Sequence, residues 1–183
     1  MVFLMSEPIS MDNIKKTPQI ERSPGSTSFR FAERSDCAII LGFIRELAKY
    51  EHLENDVVAT DKMLEEWLFD KNTAEVLLAI VDNQEVGFAL FFSNFSTFLG
   101  RAGMYLEDIF ILSEYRGRGI GTAMFRKLAR LAVERGYGRF EWACLDWNTP
   151  SIKFYRALGA EPVEGWTTFR LAGDSLTGLA NEE

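Results

Sequence analysis

One glycine-rich loop limits what this chain can fold into more than any other stretch. Residues 116–122 read RGRGIGT and join an apolar strand pattern to an amphipathic helix pattern. Three glycines at alternate positions let the backbone approach a ligand with no Cβ in the way. Because the loop opens directly into a helix, unpaired N–H groups and the positive end of the helix dipole face the same spot. Arg116 and Arg118 add charge, so the loop predicts an anion site, most naturally for phosphate.

Two common phosphate-binding patterns do not match this loop. A P-loop requires a lysine after its last glycine, but Thr122 follows Gly121. A dinucleotide-binding fingerprint requires a glycine three places after Gly119, and Thr122 stands there as well. What remains is Arg-x-x-Gly-x-Gly over residues 116–121. Taken alone, this short pattern also fits a glycine-rich turn that packs a helix onto a sheet.

The periodicity of the apolar residues predicts one α/β domain, a mixed sheet with helices on both faces. A tight hairpin is expected at 82–85, and strands are expected at 29–32, 75–81, 86–95, 104–111, 139–145 and 166–171. Capping and turn signals predict helices that begin near Ser35-Asp36, Thr60 and Ile120, and a short helix that Thr149 caps, with Pro150 at its first position. Residues 1–28 are expected to form a flexible leader, residues 29–173 the domain, and residues 174–183 a polar, frayed tail.

The composition indicates which classes of partner this protein is expected to bind. The formal net charge of −7 argues against nucleic acid and suits a cationic ligand. The two cysteines, Cys37 and Cys144, do not make a disulfide framework, and no apolar run reaches the length of a membrane span. We therefore expect a cytoplasmic protein that binds neither nucleic acid nor membrane. His52 is the only histidine and has no partner at ligand spacing, so no metal site is predicted.

The loop and its flanks resemble the pyrophosphate-binding motif of the GNAT superfamily of N-acetyltransferases. Within that superfamily, residues 46–51 (ELAKYE), 105–108 (YLED) and 146–155 (DWNTPSIKFY) resemble the diamine (spermidine/spermine) acetyltransferases. The resemblance extends from about residue 29 to residue 172 and keeps these motifs in order. It implies the GNAT acyltransferase fold, in which the strand before the loop and the strand after its helix splay apart around acetyl-CoA.

The resemblance also implies which residues bind acetyl-CoA. The pantetheine chain would lie along the backbone of Ile109, Phe110 and Ile111, where a free N–H would polarise the acetyl carbonyl. The pyrophosphate would bind the loop, which consists of Arg116, Gly117, Arg118, Gly119, Ile120, Gly121 and Thr122. Further along the chain, the positions that line the path of CoA are matched by Asn148, Ser151 and Lys153.

Acetyl transfer to an amine requires a base for the amine and an acid for the departing thiolate. Neutralising a primary amine with a pKa of about 10.4 at pH 7 costs about 4–5 kcal/mol, and a carboxylate supplies that step directly or through water. Glu107 matches the family's glutamate near the amine, and Asp108 matches a second acidic position. Strand alternation puts Glu107 on the face of Ile109 and Asp108 on the other face. Tyr155 matches a tyrosine near the CoA sulfur and is the expected general acid.

Most of the residues expected to bind the acceptor amine are acidic. The family positions that contact the amine, or lie in a segment that faces it, correspond to Tyr50, Glu51, Glu107, Asp108, Glu141 and Glu164. Carboxylates around one groove favour an elongated polycation, so we predict direct acetyl transfer to a polyamine or diamine in a ternary complex. The resemblance also implies a homodimer.

Three alternatives to this prediction remain open. In the first, the acceptor is thialysine or another small amine. In the second, the acceptor is a protein N-terminus or a lysine side chain. The third alternative is a non-catalytic module that binds CoA or polyamine. The presence of both Glu107 and Tyr155 argues against this last alternative.

Overall fold

The computed structural model describes residues 27–182, which divide after Ala143 into two compact units. The first unit contains a five-stranded sheet in the order β1-β2-β3-β4-β5, antiparallel except for the parallel pair β4 and β5. The strands are β1 Thr27–Phe31, β2 Glu75–Val81, β3 Gln84–Ser96, β4 Arg101–Ile111 and β5 Phe140–Trp142. The expected flexible leader, up to residue 26, lies outside the described residues, and β1 begins two residues before its expected start.

Three helices belong to the first unit and two to the second. The first unit has α1 Cys37–Glu51, α2 Asp61–Leu64 with a π-helical extension Glu65–Asp70, and α3 Ile120–Glu134. The second unit has α4 Thr149–Ala157 and α5 Gly173–Ala180. None of the helices within residues 27–182 is long and apolar enough to span a bilayer.

The β2–β3 connection is the tight hairpin that the sequence predicts. Asp82 and Asn83 have φ angles of 50° and 63°, the left-handed values that a two-residue hairpin turn of this type needs at both central positions. Asp and Asn adopt this conformation more readily than other non-glycine residues. The turn therefore sets the first two pairs, Val81–Gln84 and Ile80–Glu85, and the register shifts by one residue between Ile80 and Ala79.

Helices cover both faces of the sheet, as expected. On one face, Ile40 and Phe43 of α1 pack against a buried cluster that includes Val76, Leu78, Phe88 and Phe110. On the other face, Arg135 at the end of α3 stacks on Phe91 and pairs with Glu75. Because successive strand residues point to opposite faces, one apolar run in each central strand serves both layers.

The predicted splay between β4 and β5 is present in the first unit. The two strands pair only at Met104–Phe140, Tyr105–Glu141 and Leu106–Trp142. From Glu107 to Ile111, β3 is the one strand partner of β4 among the described residues. β5 ends at Trp142 rather than at the expected residue 145. The second half of β4 thus has its backbone open on the side of β5.

Three sequence-based expectations for the second unit are wrong. Residues 166–171 form no strand, and the side chains of Trp166 and Phe169 are 79% and 89% exposed. A strand requires a hydrogen-bonded partner, and residues 144–182 contain none, so favourable β-propensity alone is not enough. The expected frayed tail instead contains α5. Asn148, not Thr149, caps α4, because its side chain accepts from the N–H of Ser151 at 3.3 Å.

Candidate active site

A β-bulge places Glu107 at the start of the open half of β4. Asp108 lies opposite Leu90 and Leu106 lies opposite Phe91, so Glu107 is the one extra residue between two paired positions. The simple alternation expected for Glu107 therefore does not apply, although Asp108 and Ile109 do face opposite ways. Glu107 is exposed, and Asp108 is half-buried.

Asp108 lies on the α1 face of the sheet, and two other carboxylates lie close to it. Its strand partner Leu90 packs against the buried cluster under α1, which fixes the face to which Asp108 belongs. Burial, together with the nearby Glu107 and Glu51 carboxylates, raises the pKa of Asp108 to about 6. Burial also raises the pKa of Glu51. We call Glu51, Glu107 and Asp108 the carboxylate cluster.

The end of α1 brings Tyr50 and Glu51 to this cluster. His52 follows the helix with a left-handed φ of 61°, and the N–H groups of His52 and Leu53 donate back to carbonyls of the last turn. These two hydrogen bonds end the helix directly after Glu51. Tyr50 packs against the same buried cluster as Phe110. Glu51 thus lies near Asp108 of β4, and the assignment of Tyr50 and Glu51 as amine contacts stays a prediction.

The glycine-rich loop has the backbone geometry of an anion site. Gly117 and Gly119 have φ angles of 73° and 80°, and nothing lies within 4 Å of the place where a Cβ would stand. Gly119 immediately precedes α3, and no side chain caps that helix. The N–H groups of its first turn are thus left for an acceptor from outside, and the first turn carries no acidic residue. These features fit a pyrophosphate.

The two loop arginines make other contacts than the sequence suggests. Arg116 Nε donates to the carbonyl of Ile111 at 2.8 Å, and its guanidinium stacks on Tyr50 and Phe110. Arg118 donates to the carbonyl of Glu114 at 2.8 Å and stacks on the ring of Tyr115. The anion site is therefore built mainly from backbone, with both cations held beside it.

Glu141 lies apart from the carboxylate cluster. It sits on β5 opposite Tyr105, where it accepts from Asn94 at 2.9 Å and pairs with Arg139 at 2.8 Å. The first contact links β3 to β5 across β4, and the second joins two residues of the β5 segment. This position gives Glu141 two structural partners, which the sequence prediction of an amine contact does not include.

The remaining predicted site residues belong to the second unit. Asn148 is buried at the start of α4, and Ser151 lies in its first turn. Lys153 is exposed, whereas Tyr155 is half-buried, and its ring lies 5.5 Å from that of Phe154. Glu164 lies in an exposed turn. Between one and two turns of helix separate the capping amide from Lys153, and about two turns separate it from Tyr155.

No group of three or more His, Cys, Asp or Glu side chains in the described part of the chain is arranged to hold a metal ion.

The comparisons with known proteins agree with this geometry. The model of the acetyltransferase (GNAT) family matches residues 21–160, well over half of the chain. The thialysine N-epsilon-acetyltransferase of Mus musculus is 38% identical over 167 residues, which are 85% of this chain and 98% of the mouse protein. The chain therefore belongs to the acetyltransferase (GNAT) family and is an N-acetyltransferase.

Two further relatives have names that refer to other acceptor amines. The L-ornithine N5-acetyltransferase NATA1 of Arabidopsis thaliana is 43% identical over 93 residues, 51% of this chain and 41% of that protein. The spermidine/spermine N(1)-acetyltransferase-like protein 1 of Homo sapiens is 32% identical over 166 residues, 84% of this chain and 24% of that protein.

Solved structures show the same fold. An integron cassette protein from V. cholerae superimposes with a TM-score of 0.73 and 26% identity, covering 86% of this chain and 99% of its own. A predicted acetyltransferase from Clostridium acetobutylicum, solved with acetyl-CoA, gives a TM-score of 0.66 at 20% identity, covering 79% of this chain and 96% of its own.

Three features of the site were missed by the sequence predictions. The bulge at Glu107 requires knowledge of the strand partner, because it is defined by pairing and not by composition. The stacking of Arg116 on Tyr50 joins residues 66 positions apart, which no local pattern indicates. The raised pKa of Asp108 had one visible signal, the adjacent carboxylates Glu107 and Asp108 inside an apolar strand.

Proposed function

We propose that this N-acetyltransferase moves the acetyl group of acetyl-CoA directly to a primary amine of a small cationic acceptor, within a ternary complex. The observation that carries the proposal is the carboxylate cluster, Glu51, Glu107 and Asp108, at the point where β4 leaves β5. Three carboxylates near one another in a partly buried place are unfavourable without a cation to offset their repulsion. An ammonium group is the cation that the family's chemistry supplies.

Acetyl-CoA as the co-substrate is supported by the loop. The open left-handed backbone at Gly117 and Gly119 and the uncapped start of α3 fit the pyrophosphate. The unpaired side of β4 from Ile109 to Ile111 offers backbone groups to the pantetheine amides. The structural relative from Clostridium acetobutylicum was solved with acetyl-CoA, which is consistent with this assignment.

The chemistry needs a base, a donor to the carbonyl and an exit for the thiolate. Glu107, exposed at the bulge, takes the proton of the ammonium group directly or through one water, while Glu51 and Asp108 hold the cation. The amine nitrogen then bonds the acetyl carbon as the C–S bond breaks, and the second proton of that nitrogen passes to water, which leaves a neutral amide. Tyr155 donates its proton to the sulfur, a transfer that is uphill by about 2 kcal/mol on ordinary pKa values, so its placement must favour it.

For the acceptor we propose the side-chain amine of a diamino acid such as thialysine or ornithine. Relatives with those names are 38% and 43% identical over their matched lengths. A polyamine, the acceptor that the sequence analysis favours, is the second candidate. It is supported by the spermidine/spermine-like relative and by the three carboxylates, which suit either cation.

The test is the release of free thiol from acetyl-CoA with thialysine, ornithine, lysine, spermidine, spermine, putrescine and a histone-tail peptide. We expect the highest kcat/KM with thialysine or ornithine. Preference for spermidine would replace the diamino acid by the polyamine, and preference for the peptide would reject a small acceptor. CoA binding with no release on any amine would reject the catalytic proposal.

We also propose that residues 29–173 act as one catalytic domain and that the enzyme works as a homodimer in the cytoplasm, as the family resemblance implies. Light scattering during gel filtration tests the dimer, which should have twice the 20.8 kDa mass of one chain. A mass near that of a single chain at micromolar concentration would reject it.

A further inference from the structure

The side chain of Arg116 connects three elements of the first unit. Its backbone begins the glycine-rich loop, and its Nε donates to the carbonyl of Ile111 at the end of β4. Its guanidinium carbon lies 4.8 Å from the ring centroid of Tyr50 on α1 and 5.0 Å from that of Phe110 on β4. A planar guanidinium can lie over aromatic rings and donate hydrogen bonds at the same time, whereas a lysine ammonium can lie over a ring but does not form the same fork of bonds.

These contacts join the two ends of the proposed site. Gly117 and Gly119, which follow Arg116 in the loop, have the open left-handed backbone of the proposed anion site. Tyr50 precedes Glu51, which belongs to the carboxylate cluster. An anion bound at the loop fixes the backbone from which the Arg116 side chain extends. Whatever orders that side chain also orders the aromatic ring on which it stacks.

Arg118 provides an internal comparison. It stands two residues away in the same loop and also combines a carbonyl hydrogen bond with an aromatic stack. Its partners, Glu114 and Tyr115, are close neighbours in the chain, so its contacts remain local. Only Arg116, of these two, reaches α1.

We propose that Arg116 is a positioning residue that couples the acetyl-CoA loop to the acceptor end of the site through its stack on Tyr50. This inference rests on the proposed function for the identity of the two ligands. Its consequence is heterotropic: CoA bound at the loop strengthens acceptor binding, and by linkage the acceptor strengthens CoA binding by the same factor. An effect of about threefold to tenfold is the size expected for one partly exposed cation–π contact.

The first experiment measures that factor by calorimetry. Thialysine and spermidine are titrated into the full-length enzyme with and without saturating CoA, which permits binding but no turnover. In the wild type we expect CoA to lower the acceptor Kd about threefold to tenfold. Arg116→Lys keeps the charge but cannot lie over the rings of Tyr50 and Phe110 and donate to Ile111 at the same time, so the factor should fall below about twofold. Arg118→Lys is the matched control, in which the CoA Kd shifts but the factor remains.

The Tyr50→Leu variant completes the test. It removes the ring from the other side of the contact and should reduce the factor as much as Arg116→Lys does. The double variant should show no further reduction, since both changes remove the same interaction. Additive losses, or an undiminished factor in Arg116→Lys, would overturn the proposal.

A second experiment needs no acceptor. CoA alone should slow amide hydrogen exchange at the C-terminal turn of α1, residues 47–53, in the wild type and in Arg118→Lys but not in Arg116→Lys. Equal protection in all three proteins would overturn the role of Arg116. If that pattern appears while no amine is acetylated, the proposed function fails and the coupling through Arg116 stands.

Discussion

Asp108 sits half-buried beside Glu107 and within the field of Glu51, and these surroundings hold its pKa near 6. A carboxyl group with a raised pKa favours the folded state when it is neutral. Its contribution to stability is therefore greatest in acid and is lost as the pH rises through about 6. At neutral pH the ionised cluster strains the fold in exchange for an acidic site.

Replacing Asp108 by Asn should stabilise the enzyme and impair it. At pH 8 the variant should unfold with a free energy higher by about 1–3 kcal/mol, because an amide of the same shape carries no charge to bury or repel. At pH 5, where the native carboxyl is largely protonated, the gain should shrink. Urea unfolding at both pH values measures it, and acceptor KM should rise by about tenfold or more.

Glu107→Gln serves as the comparison for Asp108→Asn, because Glu107 is exposed. It should leave the unfolding free energy within about 0.5 kcal/mol of the wild type. Equal stabilisation by both variants, or a gain from Asp108→Asn that does not depend on pH, would contradict the assignment of the strain to Asp108.

Tyr155→Phe tests the proposed general acid. We expect kcat to fall about 10²-fold while the Kd for acetyl-CoA changes less than threefold, since the ring remains and only the hydroxyl is lost. Stopped-flow thiol release and equilibrium binding measure the two quantities. An unchanged kcat would show that the thiolate leaves without a proton from this residue.

At the scale of single residues, a candidate site residue was predictable where its chemical type is unusual for the local sequence pattern. The adjacent acids Glu107 and Asp108 in an apolar strand, and the glycines of the loop, stand out in the sequence itself. The contact partners of Arg116 and Glu141 could not be predicted in this way. Arg116 of the loop contacts Tyr50 of a helix, and Glu141 contacts Asn94 of another strand.

At the scale of elements, the position of β4 depends on a glycine in the neighbouring strand. Gly87 on β3 lies against the last residues of β4, and a Cβ there would overlap the carbonyl oxygen of Phe110 and a side-chain carbon of Ile111. Ile111 also accepts the hydrogen bond from Arg116. The absence of a side chain at residue 87 thus lets the open half of β4 lie close to β3.

Gly87→Ala should destabilise the fold by about 1–3 kcal/mol and raise the KM for acetyl-CoA, because the backbone atoms it meets cannot rotate away. Gly42→Ala is the matched control. Gly42 is exposed within α1 and has no atom within 4 Å of a new Cβ, so this change should stabilise by up to about 1 kcal/mol. Thermal unfolding and initial rates measure both variants. A neutral Gly87→Ala would show that β4 shifts freely.

Most elements were predictable because their stabilising contacts lie within short stretches. The hairpin at Asp82–Asn83, the helix after the glycine loop and the alternating strands follow from local pattern. The strand expected at 166–171 did not form, since strand formation depends on a partner that composition cannot supply. The end of β5 at Trp142 has the same cause, because the pairing with β4 stops there.

At the scale of the whole molecule, the net charge of −7 should act in opposite ways on the two proposed substrates, a cationic acceptor and acetyl-CoA. A negative protein attracts a cationic acceptor and repels anionic acetyl-CoA, which the local backbone of the loop must then bind. Added salt screens both effects, since the Debye length falls from about 30 Å at 0.01 M to about 8 Å at 0.15 M.

Raising NaCl from 20 to 300 mM should therefore increase the acceptor KM by several-fold and leave the KM for acetyl-CoA unchanged or lower. The slope should be steeper for spermidine than for thialysine, because spermidine carries more positive charge. Initial-rate kinetics with each acceptor give both slopes, and kcat is the internal reference. An acceptor KM that does not respond to salt would mean that charge does not guide the amine.

The bulge at Glu107 also has a genetic consequence. Because one extra residue reverses the phase of everything after it, Leu106 and Asp108 lie on opposite faces although they are two positions apart. Substitution at residue 107 changes one side chain. Its deletion would make Leu106 and Asp108 neighbours that already lie on opposite faces, so the pairs Asp108–Leu90 and Phe110–Phe88 would remain and β4 would become a regular strand. The fold should thus tolerate the loss of residue 107, and the proposed base would be lost with it.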